Sequence, residues 1–220
     1  MTEITIIGGH GKVGLQLSRL LAAQGDTVNA VIRKEEQRQD VQDTGANPVV
    51  ADVQDMDVAA LTELLSGQDA VVWSAGAGGG SPERTYAVDR GAAIRSMDAA
   101  EAAGVKHYVM VSYMGAGQDH GVPEDNDFHA YAQSKADADD HLRASSLTWT
   151  ILGPGMLTDD AATGAIALGR AGEGESNTTA RGNVALVAAR VLADPRGTAK
   201  KFIEFADGDT PVAEALDSLD

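Results

Sequence analysis

The stretch EITIIGGHGKVG, residues 3–14, decides the fold of this chain. A β-branched run opens it, glycines follow at positions 8, 11 and 14, and leucines then recur at helical spacing, which predicts a strand, a tight turn and a helix. Such a turn directs backbone N–H groups and the positive end of a helix dipole at one point, which suits a pyrophosphate. A purely structural glycine turn is the alternative. The residues expected to contact a dinucleotide here are Gly8, His10, Gly11, Lys12, Val13 and Gly14.

Segments of strand and helix type alternate along the rest of the chain. Strands are predicted at 27–32, 48–51, 69–73, 105–112, 147–152, 166–168 and 202–205, and helices at 34–44, 56–65, 81–104, 128–143, 183–192 and 212–219. This alternation is typical of βαβ units, so we expect an α/β fold, a doubly wound parallel Rossmann sheet with helices on both faces. A chain of 220 residues is expected to form one domain, residues 1–220.

Composition and charge narrow the classes of function. The formal net charge of −16 argues against nucleic acid and anionic membranes as partners, because phosphate binding depends on clustered Lys and Arg. The absence of cysteine excludes disulfides and thiolate metal sites, and the five histidines show no metal-binding spacing, so no metal is expected. No apolar run approaches the roughly 20 residues that span a bilayer, and no signal segment opens the chain. We therefore expect a cytoplasmic protein.

The spacing GxxGxxG at residues 8–14 resembles that of the atypical short-chain dehydrogenase/reductases, in particular the compact NAD(P)H-binding group that is similar to flavin and biliverdin reductases and to the NmrA-like regulators. The resemblance covers nearly the whole chain and implies a single NAD(P)-binding Rossmann domain. A small substrate-side region is expected within about 153–220. No separate substrate domain fits into that length, which counts against a sugar epimerase.

The end of the second predicted strand indicates which cofactor is preferred. In an NAD-binding Rossmann unit, an Asp or Glu about 20 residues after the glycine turn accepts a hydrogen bond from the ribose 2′-hydroxyl, whereas a cation there pairs with a 2′-phosphate. Arg33 lies 19 residues after Gly14 and is followed by Lys34. We therefore expect both cations to contact the cofactor and NADP(H) to be preferred over NAD(H). The alternative is a solvated helix start.

Three further segments match cofactor-binding segments of the family. The resemblance implies that the residues after the third strand contact the adenine, although an Asp there is also a common cap. It implies that the small residues after the fourth strand lie beside the cofactor ribose, with a flexible loop as the alternative. A third segment resembles Arg-Pro-Gly-x-Leu-Thr, which flanks the nicotinamide carboxamide, but Gly153 replaces the Arg. The residues implied are Asp52, Val53, Ala75, Gly76, Pro154 and Gly155.

A serine and a Tyr-x-x-x-Lys pair form the candidate catalytic group. Ser112 ends the fifth predicted strand, at the sheet edge where open α/β folds bind ligands. Tyr131 and Lys135 are four residues apart on the next helix and share a face. A nearby ammonium lowers the pKa of a tyrosine hydroxyl, which then gives up its proton more readily. The short-chain reductase pattern implies Tyr131 as acid, Lys135 as its tuner and a ribose ligand, and Ser112 as holder of the substrate oxygen. The structural alternatives are that Ser112 is a strand-end cap, that Tyr131 is a half-buried helix residue, and that Lys135 pairs with Asp137, Asp139 or Asp140.

These features predict an NADPH-dependent oxidoreductase that reduces a small carbonyl, quinone, flavin or imine compound by hydride transfer. The NmrA-like resemblance leaves open a non-catalytic redox sensor that binds NADP(H) and passes its state to a protein partner. Electron delivery to a flavin without a protein acid is a third, weaker hypothesis. The expected partner of the enzyme is a small-molecule substrate, and the chain is expected to be a monomer or a homodimer.

Overall fold

The computed structural model describes residues 1–78, 81–170 and 177–219. Within these ranges the strands, in chain order, are β1 (Glu3–Ile7), β2 (Thr27–Ile32), β3 (Asn47–Val50), β4 (Ala70–Trp73), β5 (His107–Val111), β6 (Trp149–Pro154), β7 (Met156–Thr158), β8 (Ala165–Leu168), β9 (Thr178–Ala180), β10 (Lys201–Asp207) and β11 (Thr210–Pro211). The helices are α1 (Lys12–Gln24), α2 (Arg38–Gln42), α3 (Val58–Leu65), α4 (Pro82–Thr85), α5 (Ala93–Ala103), α6 (His129–Ala144), α7 (Arg181–Ala193) and α8 (Val212–Asp217). A 3₁₀ turn (Glu35–Gln37) precedes α2, and a π-helical segment (Tyr86–Ala92) joins α4 to α5.

The described strands form one large sheet and one small one. The large sheet has the order β3-β2-β1-β4-β5-β6-β10-β8-β11, in which the strands from β3 to β10 are parallel. Its last two strands run antiparallel to their neighbours, while β7 pairs with β9. This confirms the predicted doubly wound parallel Rossmann sheet. Because the strand order reverses between β1 and β4, their carboxyl ends are where such a sheet binds ligands.

Apolar strands are buried here on both faces, as expected for a parallel sheet between two helical layers. Strands β4 and β6 are buried along their whole length. Adjacent residues of β1 point to opposite sides, so Ile6 belongs to the core under α1 and α7, and Ile7 belongs to the core under α3 and α5. No helix in the described part of the chain is both long and apolar enough to cross a bilayer.

The helix predicted over 81–104 is not continuous. It begins at Pro82 with the Ser81 hydroxyl accepting a hydrogen bond from the Arg84 N–H at 3.4 Å, and it ends at Gly104 in the left-handed conformation. Between these points the π-helical segment places the Asp89 carboxylate 2.9 Å from the N–H of Ala77. Segments of this type occur frequently at functional sites. The short strands β7 and β9 are not among the predicted elements; within the described residues they pair only with each other, and they are far apart in sequence.

Arg95 of α5 fixes the segment that follows β3. Its guanidinium donates hydrogen bonds to the carbonyl oxygens of Gln54 and Met56, both at 2.9 Å, and to that of Val53 at 3.5 Å. These carbonyls are about 40 residues away in sequence and have no strand partners. One charged side chain therefore holds this loop against the sheet.

We predict that Arg95→Ala lowers the free energy of unfolding by about 2 kcal/mol, because it removes charge-assisted hydrogen bonds and leaves carbonyl groups without partners. Urea denaturation followed by circular dichroism measures the change. The matched control is Arg19→Ala, since Arg19 is an exposed arginine of α1. Equal stability of the two variants would contradict the assigned role.

Candidate functional site

The glycine turn between β1 and α1 brings two backbone segments into direct contact. Gly8 has φ +90°, and a Cβ on it would lie 2.6 Å from the backbone of Ala75, so only glycine fits. A Cβ on Gly14 would lie 2.6 Å from the carbonyl oxygen of Gly8, so glycine there lets α1 pack against the turn. Helix α1 follows Gly11 without a capping side chain, and its first turn holds no acidic residue. This N-terminus therefore suits an anion.

A cleft of about 480 Å³ lies in front of this turn, at the carboxyl ends of β1, β2, β3 and β4. Its volume is typical of small-molecule and cofactor sites. The predicted residues that line it are Gly8, His10, Gly11, Arg33, Asp52, Val53, Ala75 and Gly76. Gln37 and Arg84 also line it, and the sequence analysis missed both. Gln37 lies in a polar segment without a motif, and Arg84 follows a helix cap whose position relative to the cleft depends on the fold.

Arg33 is an unpaired cation at the rim of the cleft. It is exposed, and its guanidinium has no hydrogen-bond or ion-pair partner within the described ranges. The next two carboxylates are engaged elsewhere, since Glu35 accepts from Arg38 at 2.6 Å and Glu36 accepts from Lys34 at 3.1 Å. The hydrogen bond from Arg38 lowers the pKa of Glu35. The rim therefore presents positive charge where an NAD-binding Rossmann site presents a carboxylate.

His10 and Gln37 connect the glycine turn to the segment after β2. The Gln37 side chain is 3.1 Å from His10 Nδ1, and its Oε1 accepts from the backbone N–H of Arg33 at 3.2 Å. The other ring nitrogen of His10 lies 2.8 Å from Asp40. The two sides of the cleft that would hold the adenosine half of a dinucleotide are therefore joined by side-chain hydrogen bonds.

Two predicted residues of the turn have side chains that point away from the cleft. The ammonium of Lys12 binds Asp159 at 2.5 Å, across from the start of α7, and both groups are largely exposed. Val13 is 7% exposed and packs into the core under α1. Any contact of Lys12 or Val13 with a cofactor therefore involves backbone groups of the first turn of α1.

The segment from Gly153 to Gly155 is held by sheet and packing contacts. A Cβ on Gly153 would lie 2.6 Å from the ring of Phe202, which explains why the larger Arg of the family pattern does not fit here. Pro154 ends β6, and the N–H of Gly155 donates to the carbonyl oxygen of Phe205 at 3.0 Å. Neither Pro154 nor Gly155 lines the cleft within the residues that the structure describes.

The structure brings Ser112, Tyr131 and Lys135 together beside the carboxyl end of β5. Lys135 is only 2% exposed, and its Nζ donates to the carbonyl oxygen of Val111 at 2.7 Å. The hydroxyl of Ser112 donates to Asp139 Oδ2 at 2.6 Å. Lys135 Nζ lies over the ring of Tyr131, 6.0 Å from its centroid. The three candidate residues are neighbours, but they do not hydrogen-bond to one another: Ser112 bonds to Asp139, and Lys135 bonds to the backbone of Val111.

The expectation that Lys135 lowers the pKa of Tyr131 is wrong. Burial raises the pKa of Tyr131, and the negative charges of Asp89 and Asp139 raise it further. Burial also lowers the pKa of Lys135 against the opposing effect of the same two carboxylates. Its ammonium donates to the carbonyl oxygen of Val111, and no hydrogen bond within the described residues joins it to the phenol oxygen. The phenol therefore holds its proton more tightly than a free tyrosine does.

Two buried carboxylates complete this polar cluster. Asp89 is 1% exposed and Asp139 is fully buried. Burial raises the pKa of Asp139 to about 6, although Lys135 and the hydrogen bond from Ser112 lower it, and burial also raises the pKa of Asp89. One oxygen of each, Oδ1, has no hydrogen-bond partner among the described residues. The spacing of Asp139, four residues after Lys135, was a usable signal for its place in the cluster, whereas Asp89 is brought there by the fold.

Comparisons with known proteins agree with this geometry. A family model described as NAD(P)H-binding matches residues 8–195. The uncharacterized sugar epimerase YhfK of Bacillus subtilis (strain 168) is 33% identical over 222 residues, which cover 99% of this chain and 100% of that protein. A solved structure from Bacillus halodurans, named as an NAD-dependent epimerase/dehydratase, has a TM-score of 0.89 at 31% identity and covers 99% and 100% of the two chains. The oxidoreductase ylbE of Lactococcus lactis has a TM-score of 0.84 at 30% identity, with 99% of this chain and 96% of that chain covered.

The raised pKa of Asp139 predicts a pH dependence of stability. A carboxyl whose pKa is higher in the folded state contributes stability that is fully present below about pH 4 and is lost as the pH rises through about 6. The stability of the wild type relative to Asp139→Asn should therefore fall by roughly 2 kcal/mol between pH 4 and pH 7. Urea denaturation at several pH values measures the difference.

The control for this experiment is Asp140→Asn, which removes the neighbouring, exposed carboxyl of the same helix. The use of differences between variants cancels the titration of the remaining groups. A difference between wild type and Asp139→Asn that stays constant over this pH range would contradict the raised pKa.

Proposed function

The chain belongs to the NAD(P)H-binding family, of the atypical short-chain dehydrogenase/reductase type, and on this premise we propose that it is an NADPH-dependent oxidoreductase. The proposed reaction is hydride transfer to a small carbonyl, quinone, flavin or imine compound. The observation that carries the proposal is a cleft of cofactor size with a buried polar cluster hydrogen-bonded to one of its lining residues. Asp89 makes this link through the N–H of Ala77, which lines the cleft.

The preference for NADPH is supported by the charge at the rim of the cleft. A 2′-phosphate needs a cation, and Arg33 has no competing partner among the described residues. The two nearest carboxylates after β2 are already bound to Arg38 and Lys34. The side chain at the end of β2 is Ile32, which cannot accept a hydrogen bond from a ribose 2′-hydroxyl.

The reductase chemistry is supported by the proton-holding groups at the end of β5. When bound, the nicotinamide supplies the hydride, and the protein must then supply a proton to the substrate oxygen or nitrogen. The hydroxyls of Ser112 and Tyr131 lie in this region, and Lys135 holds the end of β5 through the carbonyl of Val111. Lys135 has donors left for a ribose hydroxyl, in keeping with the role that the family pattern implies.

A sugar epimerase is the activity that the names of two relatives suggest. A sugar-nucleotide substrate is usually held by a separate C-terminal region, but here β8, β10 and β11 extend the central sheet instead. The described residues after β6 contribute, besides these strands, α7, α8 and the short β7–β9 pair. A compact acceptor fits this arrangement better, which agrees with the oxidoreductase name of the Lactococcus lactis protein.

We expect the wild type to bind NADPH more tightly than NADH, and Arg33→Ala to weaken NADPH binding by about 10- to 100-fold because a charge-assisted hydrogen bond is lost. NADH binding should change little. Fluorescence is a suitable readout, since Trp73 ends β4 directly before the loop that lines the cleft. Arg19→Ala serves as the charge-matched control. Equal affinities for the two nucleotides in the wild type would argue against the proposed preference.

We expect the wild type to oxidise NADPH in the presence of a small electron acceptor, with 9,10-phenanthrenequinone, menadione and FMN as probes. The loss of NADPH absorbance measures turnover. A UDP-sugar serves as the comparison, because an epimerase returns its hydride and causes no net oxidation. Tight NADPH binding without oxidation in any of these assays would favour the redox sensor, and conversion of the UDP-sugar would favour the epimerase.

A further inference from the structure

Ser112 and Asp139 form a short, buried hydrogen bond at the carboxyl end of β5. The donor is the Ser112 hydroxyl, the acceptor is Asp139 Oδ2, and the distance is 2.6 Å. Ser112 is 4% exposed, and Asp139 is fully buried. The other carboxyl oxygen, Oδ1, has no hydrogen-bond partner in the part of the chain that the structure describes. A buried carboxylate with a single hydrogen bond is costly, whereas a protonated carboxyl at the same place is much less so.

Strand register places this pair at the same sheet edge as the cofactor cleft. Trp73 of β4 pairs with Met110 of β5, so Ser112 follows β5 at the edge where Ala75 follows β4. Ala75 lines the cleft, and its backbone is in contact with the glycine turn at Gly8. Ser112 is not among the described residues that line the cleft, but it joins the buried Asp139 to the carboxyl end of β5, the sheet edge at which parallel sheets bind substrates.

The groups that face Asp139 come from several elements. On its own helix, Lys135 and Arg143 favour the ionised form, and Asp140 opposes it. From β5 and its end, Ser112 donates the hydrogen bond. Tyr131 and Tyr113 are close enough for the charge of Asp139 to raise their pKa values. Asp139 thus has few favourable partners for its negative charge and a single hydroxyl through which a proton can leave.

We propose that Asp139 is the proton reservoir of the reduction and passes its proton through the Ser112 hydroxyl to the substrate. The inference rests on the proposed reductase function and assigns its acid to a residue that the short-chain reductase pattern does not include. The hydride of NADPH forms the new C–H bond, the C=O π pair moves to oxygen, and Ser112 donates its proton to that oxygen. When Asp139 is protonated on Oδ2, the same 2.6 Å contact runs from Asp139 to Ser112 Oγ, so the Ser112 hydroxyl is available to the substrate. Asp139 then donates its own proton to Ser112 Oγ and becomes a carboxylate, while NADPH becomes NADP⁺. A proton from solvent returns to Asp139 through the Ser112 hydroxyl.

The test is the pH profile of kcat for NADPH-dependent reduction of 9,10-phenanthrenequinone. The wild-type kcat is expected to fall as the pH rises through about 6, since the relay needs protonated Asp139. The kcat of Asp139→Asn should no longer depend on pH in this range and should be about 100-fold lower, the usual effect of removing a general acid. Its NADPH affinity in the fluorescence titration should stay within about 2-fold of the wild type. Asp140→Asn is the matched control and should keep the limb and the wild-type kcat at low pH, with the midpoint moved slightly to lower pH because the charge of Asp140 raises the pKa of Asp139.

Ser112→Ala interrupts the relay from the other side, so it tests the proposal even if Asp139→Asn does not fold. The double variant Ser112→Ala/Asp139→Asn should be no slower than either single variant, because the two residues act as a unit. An Asp139→Asn variant that keeps the wild-type pH limb overturns the relay, as does a limb that disappears only in Tyr131→Phe. A wild type without NADPH oxidation on any acceptor overturns the proposed function itself and the relay with it.

Discussion

The contact between the backbones of Gly8 and Ala75 is the constraint on which the rest of the site depends. A Cβ on Gly8 would lie 2.6 Å from Ala75, so the turn after β1 and the loop after β4 meet only when residue 8 is glycine. These are the two strands between which the sheet order reverses. On its other side the same loop is held by Asp89 through Ala77. The cleft wall is therefore fixed from both sides, and one of its two anchors is a member of the buried polar cluster.

Burial of the ionisable groups in this cluster is electrostatically unfavourable. Asp89, Lys135 and Asp139 are all nearly inaccessible to solvent, and within the described residues no ion pair joins the lysine to either carboxylate. Burial shifts the pKa of each group toward its neutral form. Packed apolar side chains of similar volume generally give a more stable core than such a group. Its position beside the cleft therefore agrees better with a role in chemistry than with a role in stability.

The fold could be predicted because its determinants are local in the sequence. The apolar run before Gly8, the glycine spacing and the alternation of strands and helices each need only neighbouring residues. Arg33 was found by counting from the glycine turn. Arg95 and Asp89 could not be found in this way, because their partners Met56 and Ala77 come from other elements and meet them only in the folded chain.

The failure at Tyr131 has a different cause. The spacing of Tyr131 and Lys135 correctly indicated a shared helix face, but it did not indicate which atom the ammonium binds. In the structure that atom is the carbonyl oxygen of Val111. Spacing also gave no sign of the burial of the phenol, which raises its pKa most, or of the carboxylates of Asp89 and Asp139, which raise it further. The direction of a pKa shift depends on burial and on every charge in the folded neighbourhood, whereas a two-residue motif contains only one of these influences.

One face of helix α6 carries three titratable side chains that differ in proton affinity. Tyr131, Lys135 and Asp139 follow each other at four-residue spacing, so they lie in a row. Exposure decreases along this row from the partly exposed Tyr131 to the fully buried Asp139. At the buried end of the row, burial raises the pKa of Asp139 to about 6, and Ser112 is its hydrogen-bond partner there. Since a proton donor works best when its pKa lies near the working pH, the chemistry of this face is set at its buried end, one helical turn beyond the motif.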